Sequence, residues 1–185
     1  MRAFIQKNEQ SGGDSTKVLA LMDSILATPQ EDATIAQLKA AYMSIKKMPE
    51  DQVAKAFMKV LELSPDDASA RLQVIQYLWD KQDFDGVIKL CKAAREYNPD
   101  EMAFYYYGGM AHYQKKENDA ALDDFRHGVS QINSQSNPAM VSDFYAIMGD
   151  ILNDKGLYKE AYTAYDSCLQ WKPDNIVCLN NYAYY

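Results

Sequence analysis

Two histidines and three cysteines are the residues of this sequence whose types most often act as bases, nucleophiles or metal ligands. Cys168 and Cys178 are ten residues apart and Cys91 is far from both, so the close spacing of a metal site is missing. An odd number of cysteines also argues against a disulfide framework. No Ser or Cys stands at a motif spacing from His112 or His127, although folding can build a triad that spacing does not reveal. The sequence therefore predicts no enzyme activity, no metal and no cofactor.

Two short segments have the composition of ligand loops but not the spacing. The segment DKQDFDG, residues 80–86, is acidic, but an EF-hand calcium loop needs a glutamate six residues after its glycine, where this sequence has Lys92. The segment GGMA begins at Gly108, inside a helical pattern and with no preceding strand, so it is not a phosphate loop. We predict that the first segment is a turn between helices and that the glycine pair lets two helices approach closely.

The composition of the 185 residues excludes several classes of partner. A formal net charge of -7 and a pI near 4.8 disfavour nucleic-acid phosphates and anionic membrane surfaces, which attract clustered Lys and Arg. No apolar run is long enough to span a bilayer, so we expect no membrane insertion. The first ten residues lack a signal-peptide pattern. The compartment stays undetermined. Fourteen tyrosines, against 8 glycines and 6 prolines, favour helices that pack through aromatic rings.

Prolines divide the chain at nearly regular intervals. Pro29, Pro65, Pro99 and Pro173 each close a segment with apolar residues at helical spacing, and the intervals are 36, 34 and 74 residues. The last three are followed by an aspartate that can cap or charge-complement the next helix. A fixed period of this length indicates a repeat architecture, with an insertion of six residues near Pro138. We predict a single array of units at 1–33 (partial), 34–67, 68–101, 102–141, 142–175 and 176–185 (truncated).

This two-helix pattern resembles the tetratricopeptide repeat, whose pattern is Trp-x2-Leu-Gly-x2-Tyr, then Ala-x3-Phe, then Pro. The unit that begins at Ser142 matches best, through Tyr145, Met148, Gly149, Leu152, Ala161, Tyr165 and Pro173. Because one helix pair cannot bury its apolar face alone, such units stack and share a core. The resemblance implies an all-α fold, a right-handed superhelix of antiparallel helix pairs, and a chain that is a fragment of a longer repeat protein. It also makes Cys91, Cys168 and His112 core residues.

The resemblance further implies a concave groove lined mostly by the first helix of each unit. The side chains that fall at groove positions, or on ordinary surface if no groove forms, are Tyr42, Leu72, Gln76, Trp79, Asp80, Tyr106, Met110, Tyr113, Gln114, Asp150, Asn153, Asp154, Asn180 and Tyr184. The Lys, Arg and Asn clamp with which some family members hold a C-terminal carboxylate is missing. Asp143, Asp150 and Asp154 cluster instead.

These features predict a noncatalytic scaffold or adaptor that binds a peptide segment in the groove. The alternative is a regulatory or substrate-presenting module of a larger enzyme or sensor. A protein or peptide partner with apolar and basic residues complements the aspartates, whereas nucleic acid does not. The apolar last helix, within residues 176–185, predicts either fraying or association with a second copy of the chain.

Overall fold

The structure is a computed structural model that describes residues 1–183, and these contain eleven helices and no strand. This result confirms the predicted all-α fold. The chain divides into two compact units, Met1–Lys81 and Gln82–Tyr185. The helices are α1 (Arg2–Gln10), α2 (Ser15–Leu26), α3 (Thr34–Ile45), α4 (Glu50–Leu63), α5 (Ala68–Asp80), α6 (Phe84–Tyr97), α7 (Met102–Gln114), α8 (Asn118–Ser130), α9 (Pro138–Asp154), α10 (Tyr158–Trp171) and α11 (Ile176–Ala183).

The first unit contains α1 to α5, and each helix packs on the next along the chain. Its core between α3 and α4 is made largely of small side chains, including Ala36, Ala40 and Ala56, which let the two helices approach closely. The first helix is held to α3 by polar contacts. The Tyr42 hydroxyl donates to the Glu9 carboxylate at 2.8 Å, and the Lys46 ammonium lies 2.5 Å from the other oxygen.

The second unit contains α6 to α11 and has a larger, more aromatic core. Glycines on α7 and α9 lie directly against rings of the following helix. A Cβ atom at Gly109 would lie 2.5 Å from the Phe125 ring, and one at Gly149 would collide with the Tyr165 ring. The prediction that the glycine pair at Gly108 allows close helix approach is therefore confirmed.

The turns that close the helix pairs share a left-handed residue. Positive φ angles occur at Gly12 (65°), Lys47 (52°), Gln82 (58°), Lys116 (61°) and Gly156 (73°), each at the second position after its helix. At four of them the backbone makes the same pair of hydrogen bonds, as from Lys116 to Tyr113 and from Glu117 to His112. Glycine therefore fills only two of five equivalent positions that favour it.

We expect Gly156→Ala to lower the free energy of unfolding by about 1 kcal/mol, because a Cβ atom disfavours a left-handed residue. A Cβ atom at this position would have no atom within 4 Å, so the loss of stability would come from the backbone conformation alone. Lys116→Gly is the converse variant and should be more stable than the wild type. Urea unfolding of both variants measures the difference. A Lys116→Gly protein less stable than the wild type would contradict this account of the turns.

The turns that carry proline join one helix pair to the next, and they also repeat. The side chains that cap the following helices are Asp67, Glu101 and Asn175, each two residues after its proline. Asp67, for example, accepts from the Ala70 amide at 2.8 Å. The prediction that the aspartate next to proline is the cap is thus corrected by one position, because the turn places the later side chain beside the free amides.

The extra residues near Pro138 form both a loop and a longer helix. The loop covers residues 131–137, and α9 begins at Pro138, one turn before Ser142. Asn137 caps it by accepting from the amide of Ala139 at 2.9 Å. Proline is favoured in the first turn of a helix because its missing N–H would have no intrahelical partner there.

The prediction that the cysteines form no disulfide is wrong. Cys168 of α10 and Cys178 of α11 are joined by a disulfide, and Cys91 is a buried thiol outside this bond. Counting cysteines could not reveal this, because an odd total still permits one pair. No helix in the described part of the chain has the length and apolar character needed to cross a bilayer.

Candidate functional site

A cleft in the second unit brings together four of the predicted groove residues. It has a volume of about 250 Å³ and lies where α7, α9, α10 and α11 meet. We call it the acidic cleft; its lining residues are Tyr113, Asp150, Asn153, Asp154, Tyr165 and Asn181. Two of them, Tyr165 and Asn181, were not predicted to lie at the site.

Asp150 accepts two hydrogen bonds in the acidic cleft. The Tyr165 hydroxyl donates to its Oδ1 atom at 2.7 Å, and the Asn181 side-chain amide donates to the same atom at 2.5 Å. Both donors therefore bind one oxygen of the carboxylate, and a carboxylate has two oxygens that can accept hydrogen bonds.

The acidic cleft carries negative charge that its own residues do not neutralise. Burial raises the pKa of Asp150, the hydrogen bonds from Tyr165 and Asn181 lower it, and the Asp154 carboxylate raises it again. Burial also raises the pKa of Tyr113, and the two carboxylates add to this effect. None of the six lining side chains is cationic. A positively charged group entering the cleft would thus meet two carboxylates with no competing internal cation.

The acidic cleft continues along two facing rows of side chains. Tyr106, Met110 and Tyr113 lie on one face of α7, since they are four and three residues apart. Asp143, Asp150 and Asp154 lie on one face of α9, since they are seven and four residues apart. Burial raises the pKa of Tyr106 and the Asp143 carboxylate adds to this effect, as Asp150 and Asp154 do for Tyr113, so aspartates of α9 lie near tyrosines of α7. We call these six residues the tyrosine–aspartate face.

Asp143 extends the negative charge of the tyrosine–aspartate face beyond the acidic cleft. Burial raises its pKa, while Lys172 and a hydrogen bond with Asn175 lower it. The tyrosine–aspartate face therefore combines two half-buried carboxylates and one exposed carboxylate with aromatic rings, over about two turns of α7 and about three turns of α9.

The first unit holds other predicted groove residues in different surroundings. Gln76 and Asp80 line a separate cleft of about 500 Å³ between α3, α4 and α5, and the Gln76 amide donates to Asp80 at 3.0 Å. Leu72 and Trp79 are partly buried. Tyr42 is buried, with its ring against Val18 and Met22 and its hydroxyl on Glu9. Its ring is thus part of the core between α1, α2 and α3.

The remaining predicted residues are not part of the acidic cleft. Gln114 at the end of α7 and Asn180 on α11 are exposed. Tyr184 lies outside the described residues.

A sequence signal existed for only one of the two lining residues that the sequence analysis missed. Tyr165 stands where the repeat pattern has a core aromatic, and its hydroxyl was the only sign of a polar role. Asn181 comes from the helix after the best-matching unit, so its proximity to Asp150 depends on how α11 packs on α9. No local pattern encodes that packing.

His112 is not the simple core residue that the sequence analysis expected. Its Nδ1 atom lies 2.7 Å from the Glu117 carboxylate, and its Nε2 atom lies 3.9 Å from Asp124. Asp124 in turn forms an ion pair with Arg95 at 2.5 Å, so His112 belongs to a charged network that joins α6, α7 and α8. His127 is exposed. The described residues contain no cluster of three or more side chains suited to hold a metal ion.

Comparison with known proteins agrees with this geometry. A model of the tetratricopeptide repeat matches residues 142–175, which include most of α9, all of α10 and two aspartates of the acidic cleft. The solved structure of YrrB, titled a TPR protein with an unusual peptide-binding site, has a TM-score of 0.67 at 18% identity. Residues 142–175 therefore match the tetratricopeptide repeat, and the chain has the fold of tetratricopeptide-repeat proteins.

Two further solved structures share the tetratricopeptide-repeat fold of this protein. The alignment with YrrB covers 91% of this chain and 83% of that one. A crystal structure of MamA has a TM-score of 0.63 at 22% identity, over 75% of this chain and 77% of that one. MamA 41-end from Desulfovibrio magneticus RS-1 has a TM-score of 0.62 at 14% identity, over 95% and 94%. At these identities the likeness concerns the fold alone. No curated protein matches the sequence.

Proposed function

We propose that this protein is a noncatalytic interaction module. Its tyrosine–aspartate face would bind a segment of a partner protein that carries basic and apolar side chains. The observation that supports this proposal most directly is the acidic cleft itself, whose lining holds the carboxylates of Asp150 and Asp154 and no cationic side chain. A peptide-binding site in YrrB, a protein of the same fold, is consistent with such a role.

The chemistry of the face favours a lysine or arginine side chain as the anchor. An ammonium or guanidinium group can donate to Oδ2 of Asp150 and interact with Asp154. The half-buried rings of Tyr106 and Tyr113 offer apolar area for the methylene stem and for neighbouring apolar residues. The pairing would also neutralise carboxylates whose charge is costly in their half-buried positions.

Asp150→Asn should separate binding from stability. The variant keeps the shape of the side chain but removes its charge, so the affinity for a basic peptide should fall about tenfold. Because burial raises the pKa of Asp150, the stability linked to its proton is present below the ordinary value of 3.8 and is lost as the pH rises through the raised pKa. At neutral pH the variant should therefore be no less stable than the wild type.

Fluorescence anisotropy with a dye-labelled peptide of alternating lysine and phenylalanine measures this binding. The same peptide with glutamate in place of lysine should bind far more weakly. Asp123→Asn, an exposed residue of α8, makes the same charge change away from the face and should leave the affinity unchanged. Binding should also weaken in acid, at a pH above the ordinary aspartate value of 3.8. Equal binding of both peptides would refute the proposed anchor.

A further inference from the structure

The last described helix, α11, is joined covalently to the rest of the second unit. The disulfide between Cys168 and Cys178 connects it to α10, and both cysteines are fully buried. The other face of α11 is poorly covered, because Ile176 is 71% exposed and Val177 is 53% exposed. A helix of eight residues with so little burial is marginal without a tether.

Polar contacts align the first turn of α11 beside the disulfide. Asn175 accepts from the amides of Val177 and Cys178 at 3.1 and 3.3 Å. Its side-chain amide donates to the Ser142 hydroxyl at 2.9 Å, and that hydroxyl donates to the Cys168 carbonyl at 3.0 Å. These bonds hold the start of α11. The covalent attachment nearest to its later turn is the disulfide at Cys178.

The disulfide is directly connected to the acidic cleft through one turn of α11. Asn181 follows Cys178 by three residues, so both side chains lie on the same face of the helix. From there the Asn181 amide reaches Oδ1 of Asp150. The later turn has a second tether at Tyr182, whose hydroxyl donates to the exposed Asp166 at 3.0 Å and whose ring packs edge-on against Tyr162 at 5.6 Å.

We propose that thiol–disulfide exchange at Cys168 and Cys178 controls the acidic cleft. In the disulfide form α11 is docked, and Asn181 orients the Asp150 carboxylate for a basic side chain. In the dithiol form α11 opens beyond its cap, Asn181 leaves Asp150, and one wall of the cleft is lost. This inference rests on the proposed function, because it describes how the binding of the same basic ligand is regulated.

The exchange needs a dithiol reductant, such as dithiothreitol. Attack by its thiolate breaks the S–S bond and forms a mixed disulfide with one cysteine. The second thiol of the reductant then releases that cysteine, so two electrons and two protons pass to the protein and the reductant becomes a cyclic disulfide. Since both sulfur atoms are buried, attack requires transient opening of α11.

Hydrogen exchange and peptide binding on the full chain, with and without dithiothreitol, test the inference. After reduction the amides of residues 178–182 should exchange at least about tenfold faster, because the helix loses its tether. Affinity for the lysine–phenylalanine peptide should fall about tenfold. The Cys168→Ala/Cys178→Ala protein should behave like the reduced wild type even without reductant. Cys91→Ala, which changes the buried cysteine outside the disulfide, should keep the full response to reductant.

Asn181→Ala distinguishes a specific effect on the acidic cleft from a general loosening of the helix. In the disulfide form this substitution should weaken peptide binding, and in the dithiol form it should have no further effect. Equal affinity of the two redox forms, after release of two thiols, would overturn the inference while leaving the proposed function intact. Failure of the peptide to bind the disulfide form would overturn the proposed function itself, and the regulation with it. The inference would also be overturned if the hydrogen-exchange rates of the α11 amides stayed the same after reduction and in the double alanine variant.

Discussion

Asp124→Ala is expected to destabilise the second unit by about 3–5 kcal/mol, because it leaves the half-buried Arg95 guanidinium without its carboxylate. The guanidinium lies 2.5 Å from Asp124 and donates to the Phe104 carbonyl at 3.0 Å. It also stacks over the Tyr105 ring at 4.5 Å, so it cannot simply turn towards water. Urea unfolding followed by circular dichroism measures the loss.

Replacing both members of the pair with apolar residues should cost less than removing Asp124 alone. In Arg95→Met/Asp124→Leu neither charge remains to be desolvated, so a large part of the stability should return. Asp119→Ala is the matched control, since this exposed aspartate of the same helix pairs with Lys155 at the surface. It should hardly change the unfolding midpoint. A double variant as unstable as Asp124→Ala would show that the ion pair is not the cause.

Gly149→Ala is expected to lower the free energy of unfolding by about 2 kcal/mol, although alanine is the better helix former. The added methyl would collide with the buried ring of Tyr165, which packs across the α9–α10 pair. Because the Tyr165 hydroxyl also holds Asp150, the displaced ring should weaken binding of the basic peptide as well. Thermal unfolding and anisotropy on the same samples give both quantities.

Gly109→Ala provides the matched comparison within the second unit. It places a methyl 2.5 Å from the Phe125 ring, so it should cause a similar loss of stability. Phe125 is no part of the acidic cleft, so peptide binding should stay at the wild-type level. If Gly149→Ala lost stability but bound the peptide normally, Tyr165 would not be the residue that positions Asp150.

The sequence predicts the features of this protein that are local or that recur with the period. The spacing of apolar residues predicts the helices, and the small residues at Gly149 and Ala161 indicate where two helices meet closely. The register of the repeat also selects Tyr113, Asp150 and Asp154 as groove candidates, and the structure places these three in the lining of one cleft. These properties depend on residues that are close together in the sequence, so the spacing of residue types predicts them.

The features that the sequence does not predict depend on how particular helices dock. The pairing of Cys168 with Cys178 requires α11 to pack against α10, and the contact of Asn181 with Asp150 requires the same helix to reach α9. Tyr42 has the sequence position of a groove residue, but α1 carries Glu9 to its hydroxyl and the ring is buried. The position of a residue within the repeat does not reveal which helix will pack over its side chain.

The left-handed turns have a consequence for how such a chain can diverge. The chain reverses its direction between two helices through one residue with a positive φ angle. Glycine adopts this angle at Gly156, and lysine or glutamine adopts it at Lys47, Gln82 and Lys116. The residue type at this position can therefore change during evolution with only a small loss of stability each time, while the repeating helix–turn–helix structure is kept. Repeats that arose by old duplications of this kind would lose their sequence similarity long before they lost their structural similarity.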